Sequence, residues 1–156
     1  MTEPPATGSD EFTIRRAVPA DSPAIADVYL AAFRSAYDFP LAHSDDEVRG
    51  WLASEVVPRL ETWVAENRGR VVAMMVLDEG WIGHLYVDPP WHRRGVGSRL
   101  MALAKRRRPG GLELNTFQVN DRARRFYEGH GFAVAKLGDG SGNEEGQPDV
   151  LYRWQP

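Results

Sequence analysis

The apolar positions of this chain change period several times, and each change marks an element. Residues 12–18 start the pattern as a short strand. Behind the start signal Asp21-Ser22-Pro23, the residues Ile25, Val28, Tyr29, Ala32, Phe33 and Ala36 recur at helical spacing, and Pro40 closes that helix. Ser44 and Glu47 have the spacing of a capping box, which opens a second helix through Val48, Trp51, Leu52 and Val56 to a stop near Pro58. Three strands follow at residues 62–66, 71–77 and 81–87, separated by the turns Asn67-Arg68-Gly69-Arg70 and Asp78-Glu79-Gly80. A helix with the stripe Val96, Leu100, Leu103 and Ala104 then ends in Lys105-Arg106-Arg107-Arg108, cations that suit the negative end of a helix dipole. Residues 112–117 read as a strand, and Asn120 caps a helix carrying Ala123, Phe126 and Tyr127. Strands at 132–137 and 149–154 flank a polar, glycine-rich loop.

The order is β-α-α-β-β-β-α-β-α-β-β. Hairpin-linked strands in the middle and strands alternating with helices near the end imply an α/β (α+β) chain. Its sheet is mixed, with helices on its faces, rather than a doubly wound parallel sheet.

Length and composition narrow the function. A chain of 156 residues suits one domain with one core, over residues 11–156, and residues 1–10 read as a disordered tail without the basic start and apolar stretch of a signal peptide. The longest apolar run, residues 71–77, is too short to span a bilayer, so the expectation is a cytoplasmic protein with no membrane partner. A net charge of −3 gives no global attraction to nucleic acid. There is no cysteine, which removes disulfides and thiolate nucleophiles, and the four histidines have no metal-ligand spacing, so no metal is expected.

The segment with chemistry follows the third middle strand. Arg93, Arg94, Gly95, Val96, Gly97 and Ser98 connect a strand to a helix start. The first N–H groups of a helix have no internal acceptors, glycines let the main chain approach a ligand, and arginines add charge, so a pyrophosphate would fit. Gly-x-Gly alone is a weak signal, and the full dinucleotide pattern is absent because position 100 is leucine.

A second constellation lies downstream. Asn120-Asp121-Arg122-Ala123-Arg124-Arg125-Phe126-Tyr127, followed by Gly131-Phe132, joins His92-Arg93-Arg94-Gly95-Val96-Gly97 and the strand phrase Leu85-Tyr86-Val87-Asp88-Pro89. Together, and in this order, they resemble the GNAT N-acetyltransferase superfamily over roughly residues 12–154. One position departs from that pattern: His92 stands where arginine or glutamine is usual, which leaves the phosphate contact to the main-chain N–H groups of residues 93–98.

The resemblance implies a mostly antiparallel sheet of about seven strands with helices on both faces. Its two central parallel strands, ending at Val87 and Phe117, would splay to admit acetyl-CoA as cosubstrate. Leu85, Tyr86 and Val87 would bind the pantetheine arm through their main chain. Arg93, Arg94, Gly95, Val96, Gly97 and Ser98 would hold the pyrophosphate, and Asn120 would contact the cofactor. The implied activity is direct acetyl transfer to a primary amine of a small molecule or peptide. Tyr127 would give a proton to the departing thiolate, though at helical spacing it also reads as a core aromatic. For the general base His84 is one candidate and equally reads as a packed strand histidine; Glu79, Glu113, Glu144, Glu145 and Asp149 are others. The acidic loop from Asp139 to Asp149 would attract a cationic amine or be a plain surface loop. A homodimer through the C-terminal strands is a further option that the resemblance raises.

Three rivals stand beside this reading. A non-catalytic coenzyme A sensor would keep the fold without the reaction. A nucleic-acid module would use the arginine clusters, against an acidic balance and without interleaved aromatics. A nucleotide-binding domain lacks the lysine that phosphoryl transfer needs after the glycines.

Overall fold

The structure is a computed structural model that describes residues 11–156, so the tail expected at residues 1–10 lies outside the described residues. Its strands are β1 (Thr13–Arg16), β2 (Glu61–Asn67), β3 (Arg70–Asp78), β4 (Trp81–Val87), β5 (Leu112–Phe117), β6 (Ala133–Gly138) and β7 (Asp149–Trp154). Its helices are α1 (Ser22–Ala36), α2 (Asp45–Trp51), α3 (Val96–Arg107) and α4 (Asp121–Gly129). All seven strands form one sheet in the order β1-β2-β3-β4-β5-β7-β6, antiparallel except at β4 and β5.

Local chemistry accounts for the element ends. The Asp21 carboxylate accepts from the Val18 N–H at 2.8 Å and pairs with Arg15 at 2.8 Å, which fixes a single 3-10 turn ahead of α1. The capping box at Ser44 forms as expected: Ser44 Oγ accepts from the Glu47 N–H, and Glu47 accepts from the Ser44 N–H at 2.9 Å. Helix α2 then loosens into a π-helical turn at Leu52–Val56, which the apolar spacing does not reveal. Helix α1 stops at Ala36, short of Pro40, because Tyr37 already turns extended to join an aromatic cluster with Phe33, Phe39 and Phe117. At the β2–β3 turn Arg68 and Gly69 both take positive φ, as a two-residue hairpin of this hand needs.

The sheet separates two cores. Against one face, α1, α2 and the π-helical turn after it bury Ile25, Leu30, Val48 and Leu52 over Val64, Met74 and Val76. Against the other, α3 and α4 bury Leu100, Met101, Ala104 and Tyr127 over Ala73, Met75 and Leu77. Strand β3 contributes to both and is buried at every residue from Val71 to Leu77, so its sequence is a continuous apolar run rather than an alternation. Among the described residues no helix is long and apolar enough to cross a membrane.

Candidate active site

The site begins with an irregularity in β4. Val76 pairs with His84 and Leu77 with Ile82, so Gly83 is the extra residue of a β-bulge. The bulge resets the alternation. Ile82, Leu85 and Val87 pack on the α3/α4 core, whereas Tyr86 packs on the α1/α2 core. Strand β4 also leaves its parallel neighbour here. The two strands are matched only at Trp81 and Glu113, with one further bond from the Glu113 N–H to the Gly80 carbonyl at 2.9 Å. Beyond that point β5 keeps its antiparallel pairing with β7 along its whole length, and β4 keeps its pairing with β3. The facing edges of β4 and β5 therefore diverge.

A cleft of 750 Å³ fills the divergence. Its walls include Gly83 to Val87, the end of β5, the start of α3 and part of α4. Of the residues singled out in the sequence, His84, Leu85, Tyr86, Val87, Arg93, Gly95, Val96, Gly97, Ser98, Asn120 and Tyr127 all line it. Arg94 does not; its guanidinium lies over the Trp91 ring at 4.9 Å.

The glycine turn has the geometry of an anion site. Arg93 and Gly95 both take positive φ, at 64° and 83°, and Gly95 is the N-cap of α3. The first main-chain bond of the helix runs from the Arg99 N–H to the Gly95 carbonyl at 3.1 Å. Ahead of it, the N–H groups of Gly95, Val96, Gly97 and Ser98 have no acceptor among the described residues. Gly97 has a different task from Gly95. A Cβ there would come within 3.3 Å of the Phe126 ring, so this glycine lets α4 close against α3.

His92 is fully engaged. One ring nitrogen, Nε2, lies 3.0 Å from the Val87 carbonyl, and the other, Nδ1, meets the Arg122 guanidinium. A guanidinium only donates, so Nδ1 accepts and Nε2 carries the proton. Burial first, and the nearby Arg122 charge second, lower the affinity of this ring for a second proton.

Tyr127 is buried, with its ring against Phe126, Phe132 and Tyr152. Its hydroxyl has no hydrogen-bond partner among the described residues. Burial raises its pKa far above the ordinary phenol range, so the group stays protonated. His84 sits among the rings of Tyr29, Trp51 and Tyr86 at 5.3 to 6.1 Å. Their burial of the imidazole pushes its pKa down to about 4, away from the unperturbed value a base near neutrality would use. Asn120 caps α4, its Oδ1 accepting from the Ala123 N–H at 3.0 Å, while its Nδ2 donates to the Tyr37 hydroxyl at 2.8 Å. Tyr37 lines the cleft as well; its bond to Asn120 is not legible in the sequence, because the two residues meet only through the fold.

The carboxylates resolve into separate roles. Glu113 pairs with Arg153 at 2.8 Å across β5 and β7, while the main-chain carbonyl of Glu79 accepts from Arg108. Glu144 lies 2.6 Å from His43, Glu145 accepts from the Ala42 N–H at 3.1 Å, and Asp149 accepts from Asn143 at 3.1 Å. Arg107 and Arg108, part of the basic run at the end of α3, hold Glu61 at 2.6 and 3.0 Å. Among the described residues no cluster of histidine and carboxylate could hold a metal ion.

Comparison with known proteins agrees with this architecture. Residues 58–134 match the family model described as an acetyltransferase (GNAT) domain. The chain is 28% identical over 122 residues to the peptidyl-lysine N-acetyltransferase YiaC of Escherichia coli K12, covering 78% of this chain and 83% of that one. In fold it resembles the apo form of YjaB from Escherichia coli, with a TM-score of 0.77 at 24% identity, covering 92% and 97% of the two chains. It also resembles the PaiA N-acetyltransferase of Thermoplasma acidophilum, solved with coenzyme A, with a TM-score of 0.69 at 16% identity over 94% and 99%. The seven-stranded sheet with its single diverging parallel pair, the matched segment and the acetyltransferase relative agree, and the chain belongs to the GNAT superfamily of N-acetyltransferases.

Proposed function

We propose that this protein transfers the acetyl group of acetyl-CoA directly to a primary amine of a small molecule or a peptide. The observation that carries this reading is a convergence. The diverging edges of β4 and β5, the start of α3 with its open N–H groups, and Tyr127 all line one cleft. The relative that acetylates peptidyl lysine supports an amine acceptor, and the relative solved with coenzyme A supports the donor.

The donor fits the residues present. Leu85, Tyr86 and Val87 would offer main-chain groups on the open edge of β4 to the pantetheine amides. The N–H groups from Gly95 to Ser98 would take the pyrophosphate, where helix partial charge and free donors coincide. Bound acetyl-CoA supplies a thioester carbonyl that an amine can attack. A main-chain N–H on the open edge of β4 would stabilise the charge developing on that carbonyl oxygen. Tyr127, held protonated by burial, would donate to the sulfur as the carbon–sulfur bond breaks. His84 lines the cleft and is neutral above about pH 4; with its proton affinity so lowered it would relay the amine proton to water rather than hold it. Asn120 would order this end of the site through Tyr37.

The alternative, a coenzyme A sensor with the same fold, predicts binding without turnover. Incubation with acetyl-CoA and a panel of amines, including lysine peptides, polyamines and aminoglycosides, separates the two. Acceptor-dependent release of free coenzyme A thiol supports the enzyme, and tight acetyl-CoA binding with no release across the panel would leave the sensor.

A further inference from the structure

The position that departs from the family motif is His92, and its two ring nitrogens are both committed, one to the Val87 carbonyl and one to Arg122. A neutral imidazole in that state has no N–H left for an anion. The side chain that ends up at the mouth of the cleft is instead Arg122, from the first turn of α4. Its bond to His92 uses Nη1 alone; Nη2 and Nε have no acceptor among the described residues.

Arg122 is not alone. Arg125 follows on the same face of α4, and Arg93 enters from the glycine turn; both line the cleft, and neither has an acidic partner among the described residues. Asp121 is the one carboxylate-bearing residue in the cleft wall. Elsewhere the arginines Arg15, Arg49, Arg107 and Arg153 each sit within 2.8 Å of a carboxylate. A protein of net charge −3 thus gathers three arginines without an acidic partner among the described residues at this mouth, beside the open N–H groups of α3.

We infer that Arg122, held in place by His92 and seconded by Arg125, is the phosphate-binding side chain of this site, taking over from α4 the contact that arginine or glutamine makes at the motif position His92 occupies. The ligand is a phosphate of coenzyme A, either its pyrophosphate or its 3′-phosphate. A guanidinium suits both, because its forked donors match two oxygens at once. His92 is a positioning residue, and the open α3 N–H groups supply the rest of the cradle. The inference rests on the proposed function for the identity of the ligand.

The test is calorimetric titration of the wild-type protein, Arg122→Ala, and Arg122→Ala combined with His92→Arg. The titrants are coenzyme A, its analogue without the 3′-phosphate, and pantetheine, which has no phosphate. Arg122→Ala should bind coenzyme A about tenfold more weakly or worse, as expected for a lost charged hydrogen bond, and pantetheine unchanged. An equal loss for the 3′-dephospho analogue assigns Arg122 to the pyrophosphate, and a loss confined to coenzyme A assigns it to the 3′-phosphate. Adding His92→Arg should recover most of the affinity. Unchanged coenzyme A affinity in Arg122→Ala overturns the inference, as does an equal loss for pantetheine. A double variant no tighter than the single one overturns the exchange between the two positions. Wild-type protein that fails to bind coenzyme A at all would remove the proposed function and this inference together.

Discussion

Tyr127 and His84 show how a residue's chemistry is set by what surrounds it. The Tyr127 ring packs in the core while the residue also lines the cleft, so the core reading of its sequence position holds and leaves room for the acid role proposed above. Tyr127→Phe removes only the hydroxyl. It should lower kcat about a hundredfold while leaving the affinity for acetyl-CoA within twofold; steady-state rates and calorimetry on the same preparation decide this, and unchanged kcat would remove the acid role. His84 is the opposite case. Its neighbours hold it neutral down to about pH 4, whereas in the unfolded chain it protonates near 6.5. The native state therefore gains stability from this group above pH 6.5 and loses it as pH falls toward 4. His92 and His130, also depressed by burial, act in the same direction. Thermal unfolding followed between pH 7 and 4.5 should drop less steeply in His84→Gln than in the wild type; parallel curves would show that the ring is not desolvated as its packing implies. Tyr127, the glycines and Asn120 are visible in the sequence because their spacing is local. The commitment of His92 and the arrival of Arg122 are not, since both depend on α4 docking beside the β4–α3 turn.

At the scale of elements, the order and most boundaries follow from period and turn chemistry. Strands β4, β5 and β7 occupy the residues their patterns indicate, and the caps at Ser44 and Asn120 form. What the pattern hides is where a strand breaks step. The bulge at Gly83 and the separation of β4 from β5 make the site, yet residues 81–87 read as an ordinary strand, because one extra residue changes pairing without changing composition. The π-helical turn after α2 is hidden for the same reason. The two glycines of the α3 turn, equivalent in the motif, separate by physics. Gly95→Ala forces a left-handed residue at the N-cap and should cost about 1–2 kcal/mol of stability. Gly97→Ala instead presses a methyl group against Phe126, with φ unstrained. Denaturant unfolding should show Gly95→Ala destabilised by that amount, while Gly97→Ala loses more in coenzyme A affinity than in stability as α4 and its Arg122 are pushed off the turn. A Gly97→Ala protein binding coenzyme A as tightly as wild type would show that α4 does not help build the cradle.

Across the whole molecule, the two halves of the chain are tied together over the sheet. Ala42 and His43, between α1 and α2, hold Glu145 and Glu144 from the β6–β7 loop, about a hundred positions later. That loop is braced internally by Asn143, which donates to the Gln147 carbonyl and to Asp149. The acidic segment that the sequence offers as bait for a cationic amine thus also serves as an anchor for the helical side of the site. The His43–Glu144 pair makes the anchor pH-dependent. The bond to Glu144, and after it the charge of Glu144, raise the His43 pKa above 6.5. A histidine that gains proton affinity from its partner stabilises the closed arrangement below its unfolded pKa, and this contribution is lost as pH rises through the raised value. Hydrogen exchange of residues 38–44, corrected for the intrinsic rate, should therefore increase from pH 6 to pH 8 in the wild-type protein. In Glu144→Gln combined with Glu145→Gln it should be fast at both pH values, because neither the His43 pair nor the charged acceptor for the Ala42 N–H remains. The same double variant bears on the acceptor: a raised KM for a cationic amine with unchanged acetyl-CoA affinity would mean that these carboxylates face the substrate as well as the anchor. Exchange at residues 38–44 that is slow and independent of pH in both proteins would show that the aromatic cluster around Tyr37 and Phe39 holds this segment by itself.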